Sequence, residues 1–208
     1  GKLDGNGHKL KFIDTGDYGY VIGKLSGSVK DLTVENITAV GKGRYKGFIG
    51  RMLENSGVDN VHVIGMEAVS VQHCGAIAGD ARSAAVINSS AHNIKIRTVE
   101  DGVYTQYVGG LIGKQRVDYE SSLLSYISIM NCYADRVDID VLEAGDCGGA
   151  GGIVGYIRAG SEIYHAYIIN SSISTAFKNA GGIIGAVDGR TGDALSYMLK
   201  DYYADVDI

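Results

Sequence analysis

Proline and tryptophan are absent from these 208 residues, and phenylalanine occurs only three times. A chain without proline keeps every backbone N–H as a donor, which suits continuous strand pairing, where a lost donor is costly. The three cysteines, Cys74, Cys132 and Cys147, are odd in number and form no CxxC. That excludes a disulfide framework and leaves them as small buried or half-buried thiols. No run approaches the ~18 apolar residues of a membrane helix, so membrane insertion is not expected. The opening GKLDGNGHKLKF has neither the basic start nor the apolar stretch of a signal peptide, so residue 1 reads as an internal position of a longer chain. Helical periodicity is missing over any useful window. The net charge is −5, and the basic residues are scattered along the sequence, which argues against a nucleic acid or an anionic membrane as partner. Partners are expected to be neutral, basic or sugar-like.

What is abundant is glycine, 31 residues of it, in a composition 45% hydrophobic and 21% charged. This is too apolar for disorder and lacks the Gly-X-Y period of collagen, so the chain is expected to fold as one unit over residues 1–208. The glycines recur in a pattern. GYVIG ends at Gly23, KGFIG at Gly50, CGAIAG at Gly79, VGGLIG at Gly113, AGGIVG at Gly155 and AGGIIG at Gly185, at spacings of 27, 29, 34, 42 and 30 residues. Each copy is followed by a second block that also aligns. Its middle column holds Asp31, Asn60, Asn88, Asn131, Asn170 and, with a slip of one, Asp201. Three positions later stands an apolar or small residue: Val34, Val63, Ala91, Ala134, Ile173 or Ala204.

Short Val, Ile and Tyr runs broken by Gly, Asn, Asp and Ser read as strands and turns. Units of this length cannot bury a face alone and become stable by stacking on their neighbours. The expected fold is all-β, a parallel β-solenoid of the right-handed β-helix type, with about six coils and two inserted loops. At a strand spacing of ~4.8 Å six coils make a rod of roughly 30 Å. The apolar pairs, such as Ile183 and Ile184 over Ile153 and Val154, should run in register. The Asn/Asp column should form a ladder at a turn by bonding backbone amides. Gly109-Gly110, Gly151-Gly152 and Gly181-Gly182 should supply a tight bend or a positive-φ position where a Cβ would clash. Tyr20, Lys46 and Ala76 occupy one of the two sites in the first three copies, so only one glycine is required.

These residues resemble the GLUG repeat of bacterial surface proteins, which include large adhesins and the non-catalytic regions of streptococcal IgA-cleaving metallopeptidases. Gly110-Leu111-Ile112-Gly113 matches the Gly-Leu-any-Gly core literally. Gly47-Phe48-Ile49-Gly50, Gly152-Ile153-Val154-Gly155 and Gly182-Ile183-Ile184-Gly185 match with another apolar residue for Leu, and the first and third copies are degenerate. The opening KLDGNGHKLKF is similar to the segment that commonly precedes such repeats. The resemblance covers nearly the whole chain and implies an extracellular, secreted or cell-surface repeat region. It specifies architecture better than activity.

Chemistry is sparse. No GGxxG string matches a phosphate loop of either the GxGxxG or the GxxxxGK[ST] kind, so no nucleotide cofactor is expected. His8, His62, His73, His92 and His165 include no HExxH or other helical metal spacing; His73-Cys74 with a second cysteine is the one soft-metal option, against exposed turn residues as the plainer reading, and no metal is expected. The acidic stretches DRVDID, from Asp135, and DVDI, from Asp205, raise general acid/base chemistry on polysaccharides, but Asp138 and Asp140 flank Ile139 as on the solvent face of a strand. Eleven of the tyrosines lie between Tyr104 and Tyr203, available for stacking on sugars or on one another. Residues 114–127 and 140–150 exceed what a repeat needs and are expected to project as recognition loops carrying Lys114, Arg116, Tyr119, Tyr126, Glu143 and Asp146. Asn36, Asn88 and Asn170 open glycosylation sequons that carry little weight.

The expectation is a non-enzymatic adhesive or structural stalk segment whose partner is a host protein, a glycan or further copies end to end. The alternatives are a carbohydrate-active β-helix enzyme and a substrate-positioning accessory domain of a secreted metallopeptidase. The closing YYADVDI has no polar cap, so continuation in a longer protein or stacking into a filament is expected.

Overall fold

The computed structural model describes residues 1–70, 72–99, 106–116, 126–141, 147–158, 160–175, 179–188 and 198–208. Among these the chain is all-β. The first repeats run through β1 (Lys2–Asp14), β2 (Tyr20–Leu25), β3 (Ser28–Ala39), β4 (Tyr45–Met52) and β5 (Gly57–Ser70). The middle of the chain forms β6 (His73–Cys74), β7 (Ala78–Arg82), β8 (Ala85–Ile87), β9 (Ser90–Thr98), β10 (Gln106–Gly109) and β11 (Ile112–Arg116). The remainder forms β12 (Tyr126–Val141), β13 (Cys147–Gly151), β14 (Val154–Arg158), β15 (Ser161–Thr175), β16 (Ala180–Gly181), β17 (Ile184–Asp188) and β18 (Met198–Asp207).

All pairings are parallel, and neighbours in each sheet follow chain order. One sheet of long strands runs β1-β3-β5-β8/β9-β12-β15-β18. A second sheet has two wings that share β4: one runs β2-β4-β7-β11-β14-β17, the other β4-β6-β10-β13-β16. Each repeat thus adds one rung to every sheet it enters.

The long strands do not keep a strict period of two. In β3 the buried residues are Val29, Leu32, Val34, Ile37 and Ala39, with two adjacent outward residues at Lys30-Asp31 and again at Glu35-Asn36. The interruptions coincide with positive φ at Asp31 (53°) and Asn36 (58°). A left-handed residue between extended ones adds one outward position and turns the strand, and Asn and Asp tolerate that conformation better than other side chains with a Cβ. The same two corners recur in β5, β8/β9, β12 and β15.

Between the corners the interior is a set of aliphatic ladders. Val29, Val58, Val86, Ile129 and Ile163 stack rung on rung, as do Val34, Val63, Ala91, Ala134 and Ile168. The sequence alignment put Ile173 in the second of these columns. It stands instead under Ile139, five residues further along its strand.

Between the two wings of the second sheet the rungs join through buried apolar pairs and closely packed backbone. The apolar pairs Phe48-Ile49, Ile77-Ala78, Leu111-Ile112 and Ile153-Val154 are fully buried, and Ile183 nearly so. Their backbones bond rung to rung, as in Leu111 N–H to Ile153 O (3.0 Å) and Ile153 N–H to Ile183 O (3.0 Å). A Cβ added to Gly152 would lie 2.1 Å from the Gly182 carbonyl oxygen, and one on Gly113 would lie 2.6 Å from both Cys74 N and Gly79 O. Backbone packs directly against backbone here, which is why glycine recurs. Lys46, aligned with a glycine in the sequence, pairs instead with Cys74 in register, running its stem past Gly19 and donating its ammonium to the Gly41 carbonyl.

Candidate functional site

The repeat glycines Gly23, Gly50, Gly79, Gly113, Gly155 and Gly185 fall in one register column of the first wing. The polar column is more complicated. Asp31, Asn60, Asn88 and Asn131 stand in line, but the next rung places His165 there, followed by Asp201. All six have positive φ. Asn170 belongs to the second corner, with Asn36, Gly65, Asn93 and Arg136.

The first corner is linked mainly side chain to side chain, not to backbone amides. Asn60 Nδ2 donates to Asp31 (2.8 Å), Asn88 to Asp59 (2.8 Å) and Asn131 to Asn88 (3.1 Å). His165 then bridges Asn131 (3.2 Å) and Asp201 (3.1 Å). Serines complete the corners: Ser89 Oγ accepts from Val61 N–H (3.1 Å), and Ser171 Oγ accepts from Val137 N–H (3.0 Å). The Asn-Ser-Ser strings are therefore corner units, with Ser89 fully buried.

The described ends of the expected recognition loops are strand. Lys114 and Arg116 are strand residues of β11, and the backbone of Tyr126 lies in β12. Tyr119, Glu143 and Asp146 fall outside the described residues. Lys114 and Arg116 belong instead to a face that no sequence reading identified. Register places Arg51, Asp80, Lys114 and Tyr156 in one column, with Arg82, Arg116 and Arg158 two residues along. Basic residues that look scattered along the sequence are thus collected by the stacking, because each repeat contributes one or two to the same place on successive rungs.

At the centre is the Asp80 carboxylate, 1% exposed. Its Oδ2 accepts from Arg116 Nη2 (3.1 Å) and faces Arg51 Nε (3.5 Å) and Arg82 Nε (3.7 Å). Its Oδ1 is buried with no hydrogen-bond partner, and so are Nε of Arg51 and of Arg116. Beside the cations runs an aromatic row from the second wing: Tyr45 to His73 (5.7 Å between centroids), then His73 to Tyr107 (5.1 Å), with Tyr107 meeting Tyr156 of the first wing (4.5 Å). Arg51 lies over Tyr45, and Lys114 over both Tyr107 and Tyr156. These are cation–π placements.

The electrostatics follow from that crowding. Burial lowers the pKa of Lys114, and repulsion from Arg116 adds to the effect, with Arg158 and Arg82 acting in the same direction. Burial pushes His73 down to about 3, helped by Lys114, Arg116 and Arg51, so its ring stays neutral. His73 is a strand residue, 5% exposed, and not the exposed turn residue expected from the sequence. Tyr156 donates to Asp188 (2.8 Å), and burial first, then that bond, raise its phenol pKa. Cys74 and Cys132 are free and buried, which pushes both thiols up to about 12 and leaves them unreactive. Among the described residues no three His, Cys, Asp or Glu side chains are grouped to hold a metal ion.

Among the grooves on the long-strand sheet, two carry tyrosine or carboxylate clusters. One, of about 540 Å³, is bordered by Asn131, Tyr133, His165, Tyr167 and Tyr203. Tyr133 and Tyr167 stack at 5.1 Å with an 8° interplanar angle. The other, of about 520 Å³, is bordered by Arg136, Asp138, Asn170, Asp205 and Asp207. Asp138 accepts from Ser172 (3.0 Å) within it. No protein-family model matches the chain, and no curated protein matches it either.

Proposed function

We propose that this chain is a segment of a right-handed parallel β-solenoid of the GLUG type, acting as a non-enzymatic adhesive or structural stalk in an extracellular bacterial surface or secreted protein. One observation carries the reading: six Gly-closed repeats fall in a single register column, so the chain is built by adding equivalent rungs along one direction. Such a plan yields length and a repeated surface rather than one enclosed cavity. Its polar side chains are used for corner ladders and ion pairs that hold the stack together. The partner is a host protein or glycan, or another copy end to end, and no nucleic acid. Small-angle scattering from the isolated segment tests the shape: a rod-like distance distribution is expected, and a spherical one would sink the reading. Incubation with acidic polysaccharides should release neither reducing ends nor unsaturated products.

The groove bordered by Arg136, Asp138, Asp205 and Asp207 favours one alternative, a polysaccharide lyase or hydrolase. Clustered carboxylates next to a cation are what general acid/base attack on an acidic sugar requires. Turnover that disappears on replacing Asp138 with Asn would establish that alternative in place of the stalk.

A further inference from the structure

Among the described residues, the face around Asp80 gathers more cations than carboxylates. Arg51, Arg82, Lys114 and Arg116 are grouped about a single buried carboxylate. Asp188, the next carboxylate along, stands beside Arg158 in register and accepts the Tyr156 hydroxyl. Arg82 and Arg116 are direct cross-strand partners, and Arg158 continues the column on the next rung. Like charges directly opposite on neighbouring strands oppose folding. A protein of net charge −5 has acidic residues with which to dilute such a column, and among the described residues the stacking brings in only Asp188.

We infer that this face binds an acidic saccharide chain, with Arg51, Arg82, Lys114, Arg116 and Arg158 pairing its carboxylate or sulfate groups and the exposed edges of Tyr45, Tyr107 and Tyr156 packing against its sugar rings. Two features select that ligand. Arginine presents a planar fork that matches carboxylate and sulfate oxygens, and its weak hydration makes a half-buried position tolerable; the side chains of Arg51, Arg82 and Arg116 are 22%, 32% and 23% exposed. The cationic column also advances by one strand spacing, ~4.8 Å per rung, close to the length of one pyranose residue. A chain lying along the rungs therefore meets a cation at each sugar, whereas a single small anion meets only one. Rings with an apolar face and a polar tip beside those cations are of no use to inorganic sulfate but suit a pyranose.

This inference rests on the adhesive reading and can fail without it, since neither rod shape nor absence of turnover depends on these cations. The test is calorimetric titration of the segment with oligogalacturonate and with chondroitin sulfate oligosaccharides. Neutral dextran oligomers, inorganic sulfate and oligothymidylate are titrated in parallel, at two salt concentrations. At least one acidic oligosaccharide should bind, more weakly at high salt, and dextran should not. Lys114→Met and Arg158→Gln should each weaken binding about tenfold, with cooperative thermal unfolding retained, while Lys95→Gln on the long-strand sheet should leave it alone. No binding to either acidic oligosaccharide overturns the inference, as does affinity indifferent to both substitutions. Inorganic sulfate or oligothymidylate binding as tightly as the saccharides overturns it too, by assigning the face to a simple anion or to a nucleic acid.

Discussion

In the long-strand sheet the chain turns its corners on asparagine, aspartate and their substitutes at positive φ, tied to one another by side-chain hydrogen bonds across rungs. Between the two wings of the other sheet it turns on glycine, with backbone atoms filling the space where side chains would stand. The first kind of corner tolerates variation: His165 and Arg136 occupy corner positions, and the strands on either side still pair. The second is far less forgiving, because the atoms that a Cβ would meet at Gly113 are backbone of three other strands and cannot rotate away. A parallel stack therefore has adaptable edges and a rigid seam.

The largest effect should come from breaking the seam. Gly113→Ala puts a methyl group 2.6 Å from Cys74 N and Gly79 O, and should cost at least ~3 kcal/mol or prevent folding. Denaturant unfolding of the purified variant measures it, and a loss below about 1 kcal/mol would mean that the wings are not packed backbone to backbone.

Next comes acid. His73 stays neutral in the folded protein down to about pH 3, whereas the unfolded chain takes up that proton near pH 6.5. Over this window the unfolded state binds more protons, so the contribution is whole above pH 6.5 and is lost as pH falls toward 3. It amounts to roughly 3 kcal/mol by about pH 4. The positive charges of Lys114, Arg116 and Arg51 act on the ring in the same direction as its burial. His73→Phe keeps a ring between Tyr45 and Tyr107 and should flatten the fall of stability between about pH 6.5 and 4. Identical slopes in the two proteins would contradict the buried neutral histidine.

The corners should respond least and in both directions. Asn131→Ala loses two ladder bonds and puts alanine at φ 54°, for about 1–2 kcal/mol. Arg136→Asn, at φ 53° in the second corner, should instead stabilise by up to ~1 kcal/mol. Matching signs for the two substitutions would show that backbone conformation does not govern these positions.

The glycine column was readable because from Gly50 to Gly185 a Cβ would run into the backbone of neighbouring rungs, so the residue type recurs from copy to copy. The polar column was readable only in part. Two corners five residues apart ask for the same chemistry, so Asn170 looks like the continuation of Asn131 although His165 stands there. The second corner left a signal, Asn36, Asn93 and Asn170, but Gly65 and Arg136 interrupt it. Lys114 and Arg116 were singled out as loop residues because long spacings read as insertions. Their strand extends to Arg116, and their neighbours come from other repeats.

By itself the sequence determined the repeat, the strand class and the residues that turn the chain, because these are local demands of backbone conformation and close approach. Only the tertiary structure decided the register, and with it which side chains meet. Arg51, Asp80, Arg116 and Arg158 are far apart along the chain, and parallel stacking brings them to within one or a few strand spacings. The charge that matters is the sum over rungs, a quantity that no single repeat contains.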